Sequence, residues 1–535
     1  LSFITKGLKF QARFSLDNNL TSSQSLQDPG GSGQENVTYR VFNPVDPFTG
    51  LIESPDGIND FAYRTFPWTI GATNVADSSI RQNLLYDFSF NYSNTFAEKH
   101  NVTGLFLVRR QERGVPNNFN ITREDWVSRF TYDYDKRYFL DISGAYNGSE
   151  KYGKDYRFDL FPAVAAGWTV TNESFMDKVK WLNKLKIRGS YGLIGDDRGG
   201  SRFEYQRTWN IGGGAFINNN ATNESSSYTF ISEGNVGNPN LQWETAIKYN
   251  IGAELGLFNN AITAEFDYFG EDRSNILIPS SQRAVPDWFG ASPPAFNGGE
   301  TEVRGYEITL AANHTFGNGL NIFGNLNFSQ AKDITISRED PAFRPFYQKA
   351  AGYTIGQPRS SIPGEIFSSL DDLYSSTPRV NGNQFIRTGY YNIVDYDGDG
   401  IYNGAFDNVP FGYPTRPQRT WAATVGAKYK GWRLSVQLYG TQNSNRSYLS
   451  RTFTNKTDTY FAHELDYWTK DNPTATRTQP AFSFAQATSD PRSNFWDASL
   501  TRLRAIALNY SVPKETCKKI GVQGLTFLAN GNNLF

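Results

Sequence analysis

One short stretch of the sequence carries oxygen-bearing residues at the spacing of a calcium-binding loop. Such a loop supplies carboxylates at positions 1, 3 and 5, a glycine at 6, a backbone carbonyl at 7 and another oxygen at 9, because Ca²⁺ prefers six to eight hard oxygen ligands. In this sequence those positions are Asp395, Asp397, Asp399, Gly400, Ile401 and Asn403. The spacing predicts a cation site built from these residues, with Ile401 acting through its carbonyl.

The twelfth position of this loop departs from the pattern. It holds Phe406 where a bidentate acid is expected, and Asp407 follows one residue later as the remaining candidate ligand. We expect Ca²⁺ here in a structural role, ordering a long loop rather than supplying catalysis. A metal-free turn rich in Asp and Gly is the alternative interpretation.

Other residues that could do chemistry are sparse or scattered. Three histidines (His100, His314 and His463) are far apart in the sequence, and the lone Cys517 excludes an internal disulfide and disfavours a thiolate metal site. Acidic residues alternate with aromatic residues, so no glycosidase pair can be picked out. The 52 basic and 53 acidic residues give a net charge of -1, without a basic tail for nucleic acid. We therefore expect neither an enzyme nor a nucleic-acid-binding protein.

The elements that position these residues are expected to be β-strands. Aromatic residues make up 15% of the chain, which has 48 Gly and one Met, a composition that favours strands over helices. In the stretch 8–17, apolar Leu8, Phe10 and Phe14 alternate with polar residues. The same period of two recurs along the chain in segments of about ten residues, which suits tilted membrane strands. No stretch is apolar and long enough for a membrane helix, so only a closed barrel could span a membrane.

Two classes of connection join these segments. Short ones, such as 135–137, 259–260, 317–319 and 430–431, alternate with longer ones at 18–81, 196–243, 274–301, 333–417 and 446–498. Short periplasmic turns and long extracellular loops are typical of outer-membrane barrels. This interpretation gives about fifteen antiparallel strands, with 333–417 as a long extracellular loop that contains the acidic stretch. A soluble sandwich or propeller is the alternative, but no repeat of about 40–50 residues supports it.

An odd count of strands does not close a single-chain barrel. We therefore expect residues 1–535 to form part of a barrel that other strands complete. Leu1 begins no signal peptide, so secretion is inferred from the strand pattern alone.

Several segments resemble SusC/RagA outer-membrane importers in their order along the chain. They are Asp135–Leu140, Phe161–Trp168, Leu185–Gly192, the stretch 238–244 (Asn-Pro-Asn-Leu-Gln-Trp-Glu) with its following hairpin to Tyr268, Trp496–Arg504, and the closing Gly531–Phe535. Each motif alone is weak, and their shared order across most of the chain carries the resemblance.

The resemblance implies a TonB-dependent transporter in the cell outer membrane. Its members have a 22-stranded barrel with an N-terminal plug, and they import oligosaccharides or peptides together with a SusD-like lipoprotein lid. The plug, the TonB-contacting segment and the last strand are expected outside this sequence. Two rivals in the same membrane remain: a siderophore receptor, and a barrel that serves as a scaffold in a surface or secretion assembly. A secreted β-rich glycan enzyme is the third alternative.

Aromatic residues in the proposed loops are candidates for contact with a ligand or a lid. They are Trp288 and Phe289 after Asp287, the pair Tyr390 and Tyr391, and the pair Tyr467 and Trp468. Flat rings beside polar groups can stack on sugars or pack on peptide side chains. Membrane-interface or lid contacts are the other interpretation, and the sequence leaves the substrate-binding residues unknown.

Overall fold

The computed structural model describes most of the chain in twelve ranges. They are residues 5–20, 23–27, 39–42, 61–64, 69–74, 80–114, 119–214, 229–290, 292–380, 386–446, 466–475 and 496–534. The chain divides into two compact units, one formed by Leu1–Lys9, Asn91–Phe106 and Val127–Phe535 and the other by Phe10–Phe90 and Leu107–Trp126. No helix within the described ranges is long and apolar enough to cross a membrane.

Fifteen antiparallel strands form one sheet in the described part of the chain, and each pairs with the next along the sequence. They are Leu8–Leu20 (β1), Ile80–Phe96 (β2), His100–Gly114 (β3), Ile121–Tyr134 (β4), Tyr138–Ser149 (β5), Phe158–Thr169 (β6), Leu182–Asp196 (β7), Glu244–Leu257 (β8), Ile262–Ile278 (β9), Phe296–Thr315 (β10), Asn321–Ser337 (β11), Arg419–Tyr429 (β12), Trp432–Gln442 (β13), Leu500–Ser511 (β14) and Thr526–Asn532 (β15). The all-β fold and the count of about fifteen strands are confirmed.

Shorter elements lie within the connections between these strands. Two-stranded sheets pair Ser23–Gln27 with Thr69–Asn74, Tyr39–Phe42 with Phe61–Arg64, Trp209–Gly214 with Thr229–Glu233, Arg359–Ser360 with Val409–Pro410, Pro363–Ile366 with Tyr391–Ile393, and Asn445–Arg446 with Trp496–Asp497. The α-helices in the described ranges are Leu370–Tyr374 and Lys514–Lys519, and the 3₁₀ turns are Val170–Asn172, Ser174–Met176, Ser280–Gln282, Asp287–Phe289 and Phe346–Gln348.

Short and long connections alternate along the sheet, as the sequence predicted. Residues 430–431 close the β12–β13 hairpin, whereas 338–418 link β11 to β12. The predicted strand ends were wrong at the side with long connections, because β9 continues to Ile278 and β11 to Ser337. In β9 the alternation ends at three consecutive apolar residues, 276–278, whereas in β11 it continues through Ile334 and Ile336 and the predicted strand ended too early.

The register divides the sheet from β5 to β14 into two faces, since directly paired residues of antiparallel strands point to the same side. One face, here named the apolar face, carries Ile142, Val164, Tyr191, Ile251, Phe266, Leu310, Leu326, Val425, Val436 and Ile506 among others. Many of these side chains are exposed, for example Ile251 at 61% and Val425 at 58%. A soluble sandwich would bury such a face. The opposite face is named the polar face.

A small core lies at the ends of β5, β6 and β8 that are joined by long connections. Trp243 is only 1% exposed and its ring packs 5.4 Å from the rings of both Tyr152 and Phe161. The indole Nε1 donates a hydrogen bond to the carbonyl of Arg157. Asn238, at the start of the same motif, donates to the carbonyl of Ala295. The stretch 238–244 therefore fastens two long connections to the sheet.

Replacing Trp243 with alanine tests this core. Loss of a fully buried indole costs about 3–5 kcal/mol in other proteins, so we expect Trp243→Ala to lower the free energy of unfolding of the complete receptor by that amount. Urea unfolding in detergent micelles measures it. Trp288→Ala is the matched control, because Trp288 is 87% exposed. Equal midpoints for the two variants would contradict the role of Trp243.

Candidate functional site

A network of ion pairs lines the polar face at its centre. The Arg188 guanidinium lies 3.3 Å from Glu254, 2.6 Å from Glu265 and 2.8 Å from Asp267. Lys184, which precedes Arg188 by four residues on the same strand, also pairs with Glu254, at 2.6 Å. These five side chains come from three strands, β7, β8 and β9. The network therefore ties the strands together across the face.

Gly252 makes the central contact geometrically possible. It stands in one row between Arg188 of β7 and Asp267 of β9. A side chain at Gly252 would place its Cβ 2.5 Å from an Asp267 carboxylate oxygen and 3.2 Å from the Arg188 guanidinium carbon. Because β8 has no side chain at this point, two residues on strands that do not pair with each other can meet.

A second group of ion pairs continues the network toward the long connections. Arg273 lies 3.5 Å from Asp196, 3.7 Å from Glu244 and 3.0 Å from Glu271. Lys248 pairs with Glu271 at 2.9 Å. Opposite charges are thus interleaved along β7, β8 and β9.

This arrangement produces a hydrophilic wall. Each of its carboxylates lies within 3.7 Å of a cation, an arrangement of ion pairs and not the pair of facing carboxyl groups that a glycosidase uses. A cavity of about 260 Å³ opens beside the network, lined among others by Lys186, Asp141 and Phe139. The Lys186 ammonium sits 4.4 Å above the Phe139 ring. The wall can contact polar solutes without chemical change.

The acidic stretch forms a tight loop within the 338–418 connection. Asp395 accepts backbone hydrogen bonds from Gly398 at 2.7 Å and from Gly400 at 2.8 Å, and Asp399 accepts one from Ile401 at 2.8 Å. Gly400 has a φ of +87°, a conformation that a side chain would strain. One carboxylate oxygen from each of Asp395, Asp397 and Asp399 lies within 4.8 Å of the others. Their all-oxygen chemistry fits Ca²⁺.

Asp407 has a different position from the three clustered acids. It is completely buried, and its carboxylate accepts backbone hydrogen bonds from Tyr396 at 2.7 Å, from Asp397 at 3.4 Å and from Asn403 at 2.6 Å. By accepting these hydrogen bonds, the Asp407 carboxylate holds together the backbone at the two ends of the acidic loop. Its part in holding a cation stays a prediction.

Asn403, another predicted ligand, forms a side-chain hydrogen bond within the loop. The Asn403 side-chain oxygen accepts a hydrogen bond from the amide of Ala405 at 3.0 Å. Loss of hydration, together with the neighbouring carboxylates, raises the pKa of Asp397. A bound cation would offset that repulsion. Sequence reasoning missed Tyr347, whose hydroxyl donates to the carbonyl of Phe406 at 2.9 Å.

The other residues singled out in the sequence do not converge on a site within the described ranges. His100 lies 2.9 Å from the Tyr132 hydroxyl, His314 packs edge-on against Phe316, and His463 lies outside the described residues. Cys517 is buried in the short helix Lys514–Lys519.

The aromatic residues singled out in the sequence differ in their exposure. Trp288 and Phe289 are exposed, at 87% and 54%, and can meet a ligand or a partner. Tyr390, Tyr391 and Trp468 are buried, which leaves their rings little surface for a ligand or a lid. Contact of any of these aromatic residues with a ligand or a lid stays a prediction.

Asp407→Asn tests how the acidic loop is closed. An amide group keeps only one acceptor oxygen, so at least one buried backbone amide loses its partner, at a cost of about 1–3 kcal/mol. We expect limited proteolysis within 338–418 to become roughly tenfold faster in the complete receptor, in the presence of a calcium chelator. Asp399→Asn, at an exposed position of the same loop, should leave the rate unchanged. Equal rates for both variants would show that Asp407 is dispensable for closure.

Comparison with known proteins gives the fold a family. Residues 3–383 match the model of the family described as TonB dependent receptor-like, beta-barrel. TonB-dependent receptor P26 of Formosa agariphila is 26% identical over 423 residues, covering 76% of this chain and 41% of that protein. TonB-dependent receptor SusC of Bacteroides thetaiotaomicron is 24% identical over 342 residues, covering 60% of this chain and 31% of its own length. The chain thus spans less than half of these relatives.

A solved structure supports the same fold. The RagAB peptide importer in its open-open state superposes with a TM-score of 0.63 at 19% identity, over 99% of this chain and 55% of that one. The family match and the curated relatives, which are named as receptors, confirm the expectation that the protein is not an enzyme. The family match over residues 3–383 also confirms the outer membrane as its location. The chain belongs to the TonB-dependent receptor family, as part of an outer-membrane β-barrel of SusC/RagA type.

Proposed function

We propose that the complete receptor imports a large nutrient, an oligosaccharide or a peptide, with energy from TonB. The family match over residues 3–383 carries this proposal. The structure adds a physical reason, because a lipid-facing apolar face and a wall of neutralised charge are what a pore for hydrated solutes needs. A SusD-like lipoprotein is the proposed partner at the outer mouth, by analogy with the two-component importer that superposes on this chain.

The polar face suits solutes that carry many hydrogen-bonding groups. Arg188 and Arg273 each contact three carboxylates, so no strong single-sign field traps a ligand there. Weak, repeated polar contacts allow passage where a tight site would retain the solute. This balance favours neutral or mixed-charge oligomers over a highly anionic metal chelate, and so favours a nutrient importer over a siderophore receptor.

Capture is proposed to begin at the long connections. Trp288 and Phe289 form an exposed apolar step in the connection from β9 to β10. Their rings can stack on a sugar or pack on a peptide side chain. The same two rings could instead contact a lid. Removing them would weaken binding of soluble ligand to the receptor alone in the first role, but not in the second.

Uptake measurements test the proposal. A strain lacking the gene, complemented with the complete receptor, should accumulate labelled oligosaccharides or peptides only when TonB is present. Trp288→Ala/Phe289→Ala should raise the substrate concentration that gives half-maximal uptake about tenfold, because an aromatic contact is worth on the order of 1 kcal/mol. The matched control is Phe175→Ala/Trp181→Ala, since these exposed rings lie at the other end of the strands. Uptake that does not depend on TonB would contradict the proposed energy source, and no uptake of either class would favour the scaffold alternative.

We also propose that the acidic loop holds Ca²⁺ as a structural ion. Support comes from the three carboxylates that lie within 4.8 Å of one another and from the hydrogen bond of Tyr347 to the same loop. Asp395, Asp397 and Asp399 would supply side-chain oxygens, with the carbonyl of Ile401, Asn403 and water as further donors. Bound Ca²⁺ would neutralise the clustered carboxylates.

Terbium luminescence checks this second proposal. Tb³⁺ should bind the complete receptor, be sensitised by the nearby Tyr396, and be displaced by Ca²⁺ at concentrations on the order of 10⁻⁴–10⁻³ M. Asp395→Asn/Asp399→Asn should abolish the signal. Glu365→Gln/Asp371→Asn removes the same charge at exposed positions of the same connection and should preserve it. A signal unaffected by the first double variant would refute the site.

A further inference from the structure

The apolar face of the sheet contains a small group of basic side chains. Arg304 of β10 stands directly opposite Lys332 of β11, and Arg419 of β12 stands directly opposite Gln330 of β11. Gln330 and Lys332 are two positions apart on one strand, so they share a face with Phe328 below them. Arg304, Lys332 and Arg419 therefore form one cluster, here named the basic triplet.

Two belts of aromatic rings on the apolar face define the depth of the basic triplet. The belt nearer the long connections contains Tyr249, Tyr268, Tyr306, Phe328 and Trp421, and the opposite belt contains Tyr429, Trp432, Tyr510 and Phe527. From position 421 to 429, both on β12, the strand advances about 26 Å, or ~20 Å of depth at a tilt of ~40°. This is close to the apolar band of an outer-membrane barrel, about 25 Å.

The basic triplet lies beyond that band. Lys332 is four positions past Phe328 on β11, which is about 13 Å along the strand. It lies on the side of the 338–418 connection. In a membrane this is the depth of the lipid headgroups, just outside the aromatic belt.

Charge within the cluster is unbalanced. Arg304 is paired with Asp272 at 2.6 Å and with Glu302 at 3.3 Å. Arg419 donates a hydrogen bond to the Gln330 side-chain oxygen at 2.7 Å, but makes no ion pair with a described residue. Lys332 is exposed and likewise forms no ion pair with any residue that the structure describes. Both carboxylates belong to Arg304, so Lys332 and Arg419 have no carboxylate partner among the described residues.

We propose that two members of the basic triplet, Lys332 and Arg419, bind the phosphate of a lipid headgroup in the outer leaflet. Lys332 and Arg419 are diagonal neighbours on β11 and β12, about 7–8 Å apart at their β-carbons, so their long side chains can converge on one phosphate. The Arg304 guanidinium is turned toward Asp272 and the Tyr249 ring and lies outside this contact. A phosphate supplies the counter-charge that Lys332 and Arg419 lack among the described residues.

The surroundings favour a lipid over a soluble anion. Below the basic triplet lie Phe328 and Trp421, which offer apolar contact to acyl chains of the same molecule. The Arg304 guanidinium stands over the Tyr249 ring at 5.5 Å, so this cation is oriented along the membrane face. A ligand with a phosphate head and apolar tails matches both chemistries, whereas a free phosphate matches only one.

Native mass spectrometry of the complete receptor tests the proposal. The probes are a phosphorylated lipid A and its dephosphorylated form, titrated into detergent-purified protein. We expect the phosphorylated lipid to bind more tightly to the wild type, and Lys332→Gln/Arg419→Gln to weaken that binding roughly 30-fold, since two surface cations are removed. Binding of the dephosphorylated lipid should not change.

The matched control is Lys428→Gln/Arg433→Gln. Lys428 and Arg433 are also opposed cations of this sheet, but on the polar face, and their removal should leave lipid binding intact. Heat-modifiable migration on gels verifies that each variant is folded. Equal binding of both lipids, or no loss in the Lys332→Gln/Arg419→Gln variant, overturns the proposal. Competition by millimolar inorganic phosphate would identify a free-anion site and overturn the assignment to lipid.

Discussion

Backbone pairing between strands is the constraint on which the rest of this structure depends. In hydrocarbon an unpaired N–H or C=O costs several kcal/mol, so each strand within the lipid zone must bond to neighbours along its whole length. Pairing fixes the register, and the register fixes which side chains share a face. Val164, for example, must lie on the same face as Ile142 and Tyr191 because it is paired with both. The apolar and polar faces are consequences of this one requirement.

The same requirement explains what could be predicted from the sequence. Alternation with a period of two is imposed wherever one face meets lipid and the other meets water, so the strands and their approximate number were visible in the chain. Ile334 and Ile336, near the end of β11, share a face with Lys332 and continue the period of two, but this short run next to a long connection was assigned to the connection. The extension of β9 and β11, and the small sheets within 338–418, were therefore missed. Their stability comes from pairing between distant segments, which local periodicity does not encode.

The candidate site was predictable to a smaller extent. Spacing identified Asp395, Asp397 and Asp399 because a tight loop brings alternate residues together within a few positions. It could not assign the role of Asp407, because that role depends on which backbone amides point inward. The network around Arg188 was missed for another reason. Glu265 and Asp267 lie 77 and 79 positions further along the chain, and only the register of three strands brings them to the same guanidinium.

Glycines within the strands show how a regular sheet can still build specific contacts. Gly252 leaves space on the polar face for Arg188 to reach Asp267 across β8. On the apolar face Gly270 stands in one row between Tyr249 and Arg304, and a Cβ there would lie 2.3 Å from the Tyr249 ring.

In both rows a missing side chain lets residues from strands that are not paired with each other make contact. On the polar face the contact is an ion pair, and on the apolar face it is a cation held over an aromatic ring. Arg304 also forms ion pairs with Asp272 and Glu302 on the apolar face, so the face alone does not decide which contact a basic residue forms. What the two rows share is the glycine of the middle strand, which gives Arg188 access to Asp267 and gives Arg304 access to the Tyr249 ring.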